Sequence, residues 1–180
     1  RRQWTPAETR LFAKWTQNIY HFKTVGTVEQ RIAKLERVLT APEMNLLLDP
    51  AFLGEGSNPQ LPKSIRRSAH SVLDCAKSTS FMPAYYAYRR RLPWMTARVR
   101  SGGGDIRTAD ANIPVGSTNS FTSPSLSWFF QNGPLCYTSG NYRVEPYGKN
   151  SHLSDTVPVA VNPQFLMPGC MNYLDGHCLL

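Results

Sequence analysis

The chain has 180 residues, 41% of them apolar and 18% charged, with 20 Lys+Arg against 12 Asp+Glu and a net charge of +8. That apolar content excludes a wholly disordered chain. No run approaches the roughly 18 uncharged apolar residues of a spanning helix, so no transmembrane segment is expected, and four cysteines are too few for a disulfide-framework miniprotein.

Charge is unevenly placed. Residues 1–100 hold 17 of the Lys+Arg and 7 of the acids, and residues 101–180 hold 3 and 5, so +10 falls on the first part and −2 on the second. Glycine rises from 3 in the first part to 9 in the second. The run Ser101-Gly102-Gly103-Gly104-Asp105 reads as a flexible hinge between two segments with different work. The predicted architecture is a mainly α helical domain over 1–100, with four to five short helices, followed by an extended, irregular, Pro/Gly-rich arm over 101–180 carrying at most a few short strands.

The helices follow from capping and periodicity. Thr5-Pro6-Ala7-Glu8 is a capping box with proline at the first helical position. Behind it Leu11, Trp15, Ile19 and Phe22 fall near one face. Thr27-Val28-Glu29-Gln30 repeats the signal ahead of Val28, Ile32, Leu35, Val38 and Leu39. Thr40-Ala41-Pro42-Glu43 reads as a third box, opening a short turn that Asp49-Pro50 closes. Residues 54–60 read as a loop. Pro62 starts a fourth predicted helix with Ile65, Ala69, Val72, Leu73 and Ala76 as its apolar stripe, and a fifth is expected from Pro83 to about Arg91.

The arm is punctuated by Ile113-Pro114, Ser123-Pro124, Asn132-Gly133-Pro134, Ser139-Gly140, Glu145-Pro146, Asn162-Pro163, Pro168-Gly169 and Asp175-Gly176. It is poor in charge yet rich in aromatic side chains, the opposite of a solvated tail. Trp128, Phe129, Phe130, Tyr137, Tyr142, Tyr147, Phe165 and Tyr173 are therefore assigned to docking on partner subunits and on the chain's own helices. A compact, irregular β-rich domain is the alternative.

Residues 83–100 carry Arg89, Arg90, Arg91, Arg98 and Arg100 without an acid, interleaved with Tyr85, Tyr86, Tyr88 and Trp94. With Arg66 and Arg67 these arginines form a candidate anion-binding cluster. Guanidinium forks match phosphate and carboxylate, so three targets are weighed: an anionic lipid such as cardiolipin, an acidic subunit face, and RNA. The bland reading is a solvated basic face with its tyrosines packed inward.

No catalytic constellation is found. His21, His70, His152 and His177 stand apart from any nucleophile pattern, and His70 and Asp74 read as an i, i+4 surface pair. Cys170, His177 and Cys178 lie close in sequence but match no zinc module, and a Cys170–Cys178 disulfide is an open alternative. No metal and no cofactor are assigned.

The chain begins at Arg1-Arg2 without methionine, which fits the remainder of an arginine-rich import leader. Basic pI, helical head and low-charge arm match the general style of accessory subunits of mitochondrial assemblies, an analogy of type that no specific motif carries. The expected function is a non-catalytic structural subunit of an inner-membrane respiratory or ATP synthase complex, peripheral to the membrane. The alternatives are a structural RNA-binding protein of a mitochondrial ribosome and a small metal- or thiol-dependent enzyme.

Overall fold

A computed structural model describes residues 2–21, 26–60, 75–93, 95–99, 112–117, 162, 164, 166–170, 172–174 and 177–179. The described part is mainly helical. Helix α1 spans Pro6–His21 and α2 spans Val28–Thr40; a 3-10 turn at Leu46–Leu48 and the one-turn α3 (Pro50–Leu53) follow, then α4 (Cys75–Arg90).

Helix α1 starts where its cap predicts. The Thr5 hydroxyl accepts from the Glu8 N–H at 3.2 Å, and the first helical bond runs from Thr9 N–H to the Thr5 carbonyl at 2.9 Å. Only half of the box forms, because the Glu8 side chain turns inward instead of reaching back to Thr5. The buried face of α1 is Glu8, Phe12, Ala13, Trp15, Thr16 and Ile19. Leu11, expected on that face, sits half-buried at its edge, and Phe12 takes the central place. Phe22 lies outside the described residues.

Helix α2 carries the full reciprocal box: Gln30 N–H donates to the Thr27 hydroxyl, and Thr27 N–H donates to the Gln30 side-chain oxygen at 2.9 Å. Its C-terminal end is anchored by Val38 and Leu39, each 1% exposed, while Val28 at its start is 58% exposed.

The third expected box is corrected. Thr40 is the last residue of α2, and its hydroxyl donates back to the Glu36 carbonyl at 2.6 Å. A threonine can bond a carbonyl one turn behind as readily as cap a helix ahead. The turn that follows is capped by Asn45 instead, whose side chain accepts from Leu47 N–H. Asp49-Pro50 opens a helix rather than closing one: Asp49 accepts from Ala51 N–H at 2.9 Å, with Pro50 at the first position of α3.

Helix α4 is the centre of the head. Phe81, Met82, Ala84, Tyr85, Tyr86 and Ala87 are fully buried, so the helix is enclosed on nearly every side. Pro83 lies inside α4, not at its start as expected. A proline there forgoes one backbone bond and crowds the preceding turn, and burial of its neighbours offsets that. Full burial of each large side chain contributes about 1.5–3 kcal/mol. The fourth predicted helix, with its stripe from Ile65 to Leu73, lies outside the described residues, while Cys75 and Ala76 belong to α4.

The end of α4 is a Schellman motif. Leu92 N–H donates to the Ala87 carbonyl at 2.9 Å and Arg91 N–H to the Tyr88 carbonyl at 3.4 Å, with Leu92 buried beneath them. Arg91 takes the left-handed position, φ 54°, that glycine usually fills. Arg91→Gly is expected to raise stability by about 1 kcal/mol, the cost of holding an L-residue there. Thermal unfolding followed by circular dichroism checks it.

Aromatic rings knit α1 to α4. Trp4 stacks on Tyr86 with centroids 5.8 Å apart and meets Phe12 edge-on at 5.9 Å; Phe12 lies 5.1 Å from Tyr86 and Trp15 5.8 Å from Tyr85.

Two strand pairs follow the head. Strand β1 (Met95–Val99) pairs antiparallel with β2 (Asn112–Ser117), Val99 opposite Asn112, with a register irregularity between Thr96 and Ala97. Strand β3 (Asn172–Leu174) pairs with β4 (His177–Leu179). The predicted hinge at 101–105 lies outside the described residues. Gly169, at φ 95°, comes so close to α1 that a Cβ there would stand 2.6 Å from a Phe12 ring carbon. A piece of the C-terminal segment thus rests on the head itself.

Candidate functional site

Of the predicted basic cluster, Arg89, Arg90 and Arg91 are described with their side chains. Arg89 and Arg90 occupy the last turn of α4, where positive charge complements the helix dipole, and they are 2% and 7% exposed. Both Nη groups of Arg89 and the Nε and Nη groups of Arg90 are turned inward and bonded within the head. Arg91 is exposed. Arg98 lies on β1 opposite Ile113. Arg66, Arg67 and Arg100 lie outside the described residues.

Arg90 is held by a carboxylate and by backbone. Its Nε donates to Glu8 Oε1 at 2.6 Å and its Nη2 to Glu8 Oε2 at 2.9 Å, a side-on bidentate pair. Its Nη1 donates to the Phe52 carbonyl at 3.0 Å and also to the Leu53 carbonyl. The Tyr86 hydroxyl donates to Glu8 Oε1 at 2.7 Å. Arg2 closes the outside, donating to Ser57 Oγ at 2.7 Å, to the Arg90 carbonyl at 3.3 Å and to the Glu55 carbonyl. One carboxylate thereby joins α1, α3 and α4.

Electrostatics follow from this geometry. Burial pushes the Glu8 carboxyl upward, but the Arg90 and Tyr86 hydrogen bonds and the charges of Arg90 and Arg2 pull harder, and it lies below the usual carboxylate range. The bond to Glu8 raises the Arg90 guanidinium against the opposing effect of burial. Burial, aided by the Glu8 carboxylate, raises the Tyr86 phenol, which stays protonated and donating.

Arg89 is clamped differently. Nη2 donates to the Leu47 carbonyl at 2.6 Å and Nη1 to the Pro59 carbonyl at 2.9 Å, while its own carbonyl accepts from Asn58 N–H. Burial lowers its pKa. Both carbonyls sit where the chain leaves short helical or loop segments, so the guanidinium caps backbone that has no helix to bond into.

Asn45, 1% exposed, is a second junction. Its Oδ1 accepts from Trp15 Nε1 at 2.8 Å and from Leu47 N–H at 3.0 Å, and its Nδ2 donates to the Leu39 carbonyl at 3.1 Å. The Tyr85 hydroxyl lies in the same group, and burial pushes its pKa up to about 12.

Glu8, Asn45 and Arg2 were missed in the sequence. The signal for Glu8 was available: it falls one turn before Phe12 on the buried face, and an acid in an apolar stripe implies a buried cation.

Of the predicted docking aromatics, Tyr173 lies on β3 opposite Cys178; Trp128, Phe129, Phe130, Tyr137, Tyr142, Tyr147 and Phe165 lie outside the described residues. Cys170 is half-buried. Among the described residues no three His, Cys, Asp or Glu side chains gather as a metal site, and no helix is long and apolar enough to cross a membrane.

Among the described residues a groove of about 340 Å³ runs along α2, lined by Gln30, Ala33, Lys34, Arg37 and Met44. No protein-family model, curated protein or solved structure matches the chain.

Proposed function

We propose that the chain is a non-catalytic structural subunit of a large assembly. Its helical head is a preformed base, and its low-charge aromatic segment docks on neighbouring subunits. The observation that carries this reading is the internal use of Arg89 and Arg90. The densest part of the arginine cluster holds α3, α4 and the connecting loop together, so it supports protein architecture more than phosphate contact. The contact of Gly169 with Phe12 supports the docking habit: one piece of the C-terminal segment already lies on a helical surface. A mitochondrial, inner-membrane setting rests on the basic, low-charge composition. Arg66, Arg67, Arg91, Arg98 and Arg100 stay available to this reading as contacts for an acidic face or for anionic lipid such as cardiolipin. The RNA-binding reading keeps the net charge of +8 in its favour but loses its two central arginines.

The test is sedimentation of the tagged full chain from a mild-detergent organelle lysate, with and without ribonuclease. Migration with membrane-complex subunits, unchanged by ribonuclease, is the expected result. A collapse to slow sedimentation after ribonuclease would establish the ribosomal alternative. Migration as a free 20.3 kDa protein would end the assembly reading.

A further inference from the structure

We infer that Met167-Pro168-Gly169-Cys170 is a latch that closes on Phe12 of α1 and can lift from it without disturbing the head. The inference deepens the assembly reading, on which it rests, by naming a piece of the C-terminal segment that the chain holds on its own helix before offering it to a neighbour.

The latch is a self-contained turn. Cys170 N–H donates to the Met167 carbonyl at 2.9 Å, with Pro168 second and Gly169, at φ 95°, third. That is the residue order of a type II turn, whose third position favours glycine. Just upstream, Gln164 N–H donates to Asn162 Oδ1 at 3.1 Å and Leu166 N–H to the Asn162 carbonyl at 3.0 Å. These bonds close within the segment, so they travel with it when it moves.

The seat is a ring that cannot give way. The Phe12 centroid lies 5.1 Å from Tyr86, 5.9 Å from Trp4 and 6.0 Å from Trp15. A Cβ on Gly169 would stand 2.6 Å from Phe12 Cε1 and 3.1 Å from Cδ1, inside the optimal separation of two carbons. Glycine is therefore required twice at this position, by the turn and by the ring.

Closure is tight but shallow. Leu166 is 46% exposed and Pro168 is exposed, while Met167, Gly169 and Cys170 are half-buried. A segment buried so partially belongs to the low-stability end of a fold, which opens before the core does. When it lifts, Phe12 keeps its three aromatic neighbours. Strand β4 lies against α4, so the β3–β4 hairpin stays on the head and the opening is local to the turn. Lifting bares the edge of Phe12 and adds it to Leu166 and Met167 as apolar surface for a neighbouring subunit.

The test follows alkylation of Cys170 by iodoacetamide in the full chain under a reducing phosphine. Peptide mass spectrometry reads the rate, which is divided by that of the same variant in concentrated urea. Gly169→Asn suits a positive φ but places a side chain against Phe12. It is expected to raise the ratio about fivefold, with helix content and urea midpoint as in the native chain. Gly56→Asn is the matched control: φ there is 73°, and the added Cβ meets no described atom within 4 Å. Its ratio is expected to equal that of the native chain.

An unchanged ratio in Gly169→Asn would overturn the seat on Phe12, and so would an equal rise in Gly56→Asn. A raised ratio accompanied by loss of helix or a lower urea midpoint would overturn the latch, making the turn an integral part of the head. If the native chain sediments with protein subunits while Gly169→Asn leaves Cys170 as slow as before, the latch falls and the assembly reading stands. If Gly169→Asn frees Cys170 on an intact head while the native chain sediments alone, the latch stands and the assembly reading falls.

Discussion

Arg90→Met is expected to destabilise the head by about 3–5 kcal/mol, because it leaves the Glu8 carboxylate buried without its cation. The side chains of the pair are only 8% and 10% exposed, so water cannot replace the lost partner without opening the fold. The Phe52 and Leu53 carbonyls lose their donor in the same step, loosening α3. Glu8→Met/Arg90→Met is expected to recover most of the loss, since two apolar side chains of similar size pay no charge burial. Urea unfolding followed by tryptophan fluorescence measures both. The pair also fixes the acid limb of stability. The Glu8 carboxyl in the folded chain titrates below its unfolded range near 4.3. Its contribution is therefore complete above that range and lost as pH falls through the lower folded value. Stability of the native chain should fall steeply below about pH 4.5, and Glu8→Gln should flatten that fall while lowering stability at pH 7.

Asn45→Ala carries the second large effect, about 2–4 kcal/mol. One side chain satisfies the Trp15 indole N–H, the Leu47 N–H and the Leu39 carbonyl, all in the core. Each buried group left unpaired costs about 1–3 kcal/mol. The loss also frees the 3-10 turn from its cap, and with it the Leu47 carbonyl that receives Arg89. Trp15→Phe is the useful comparison, because it keeps an aromatic ring in the core while removing the indole donor together with part of the ring volume. Thermal unfolding should rank Asn45→Ala below the native chain by roughly 2–4 °C per kcal/mol.

Short-range chemistry was readable and long-range chemistry was not. The Thr5 and Thr27 caps and proline at the start of α1 follow from spacings of three or four residues. The Thr40 motif failed because the same four-residue pattern fits a helix end, and the apolar residues that anchor α2, Val38 and Leu39, lie just before it. Pro83 misled in the opposite way: proline often starts a helix, but here the burial of Phe81, Met82 and Tyr85 carries the helix through it. The arginine run was read as surface because charge is usually solvated. Its carboxylate partner lies 82 residues away, a separation no local pattern spans. The acid-free composition of 83–100 was the clue, since arginines packed among tyrosines need an anion or carbonyls from elsewhere in the chain.

Arg90 works inside the head, and a double-mutant cycle between Glu8 and Arg90 tests that directly. Unfolding free energies of the native chain, Glu8→Gln, Arg90→Met and the double variant isolate the coupling of the two side chains. A coupling of about 1.5–3 kcal/mol is predicted for a bidentate, buried pair. A coupling indistinguishable from zero, with Arg90→Met as stable as the native chain, would contradict it and return Arg90 to the surface cluster.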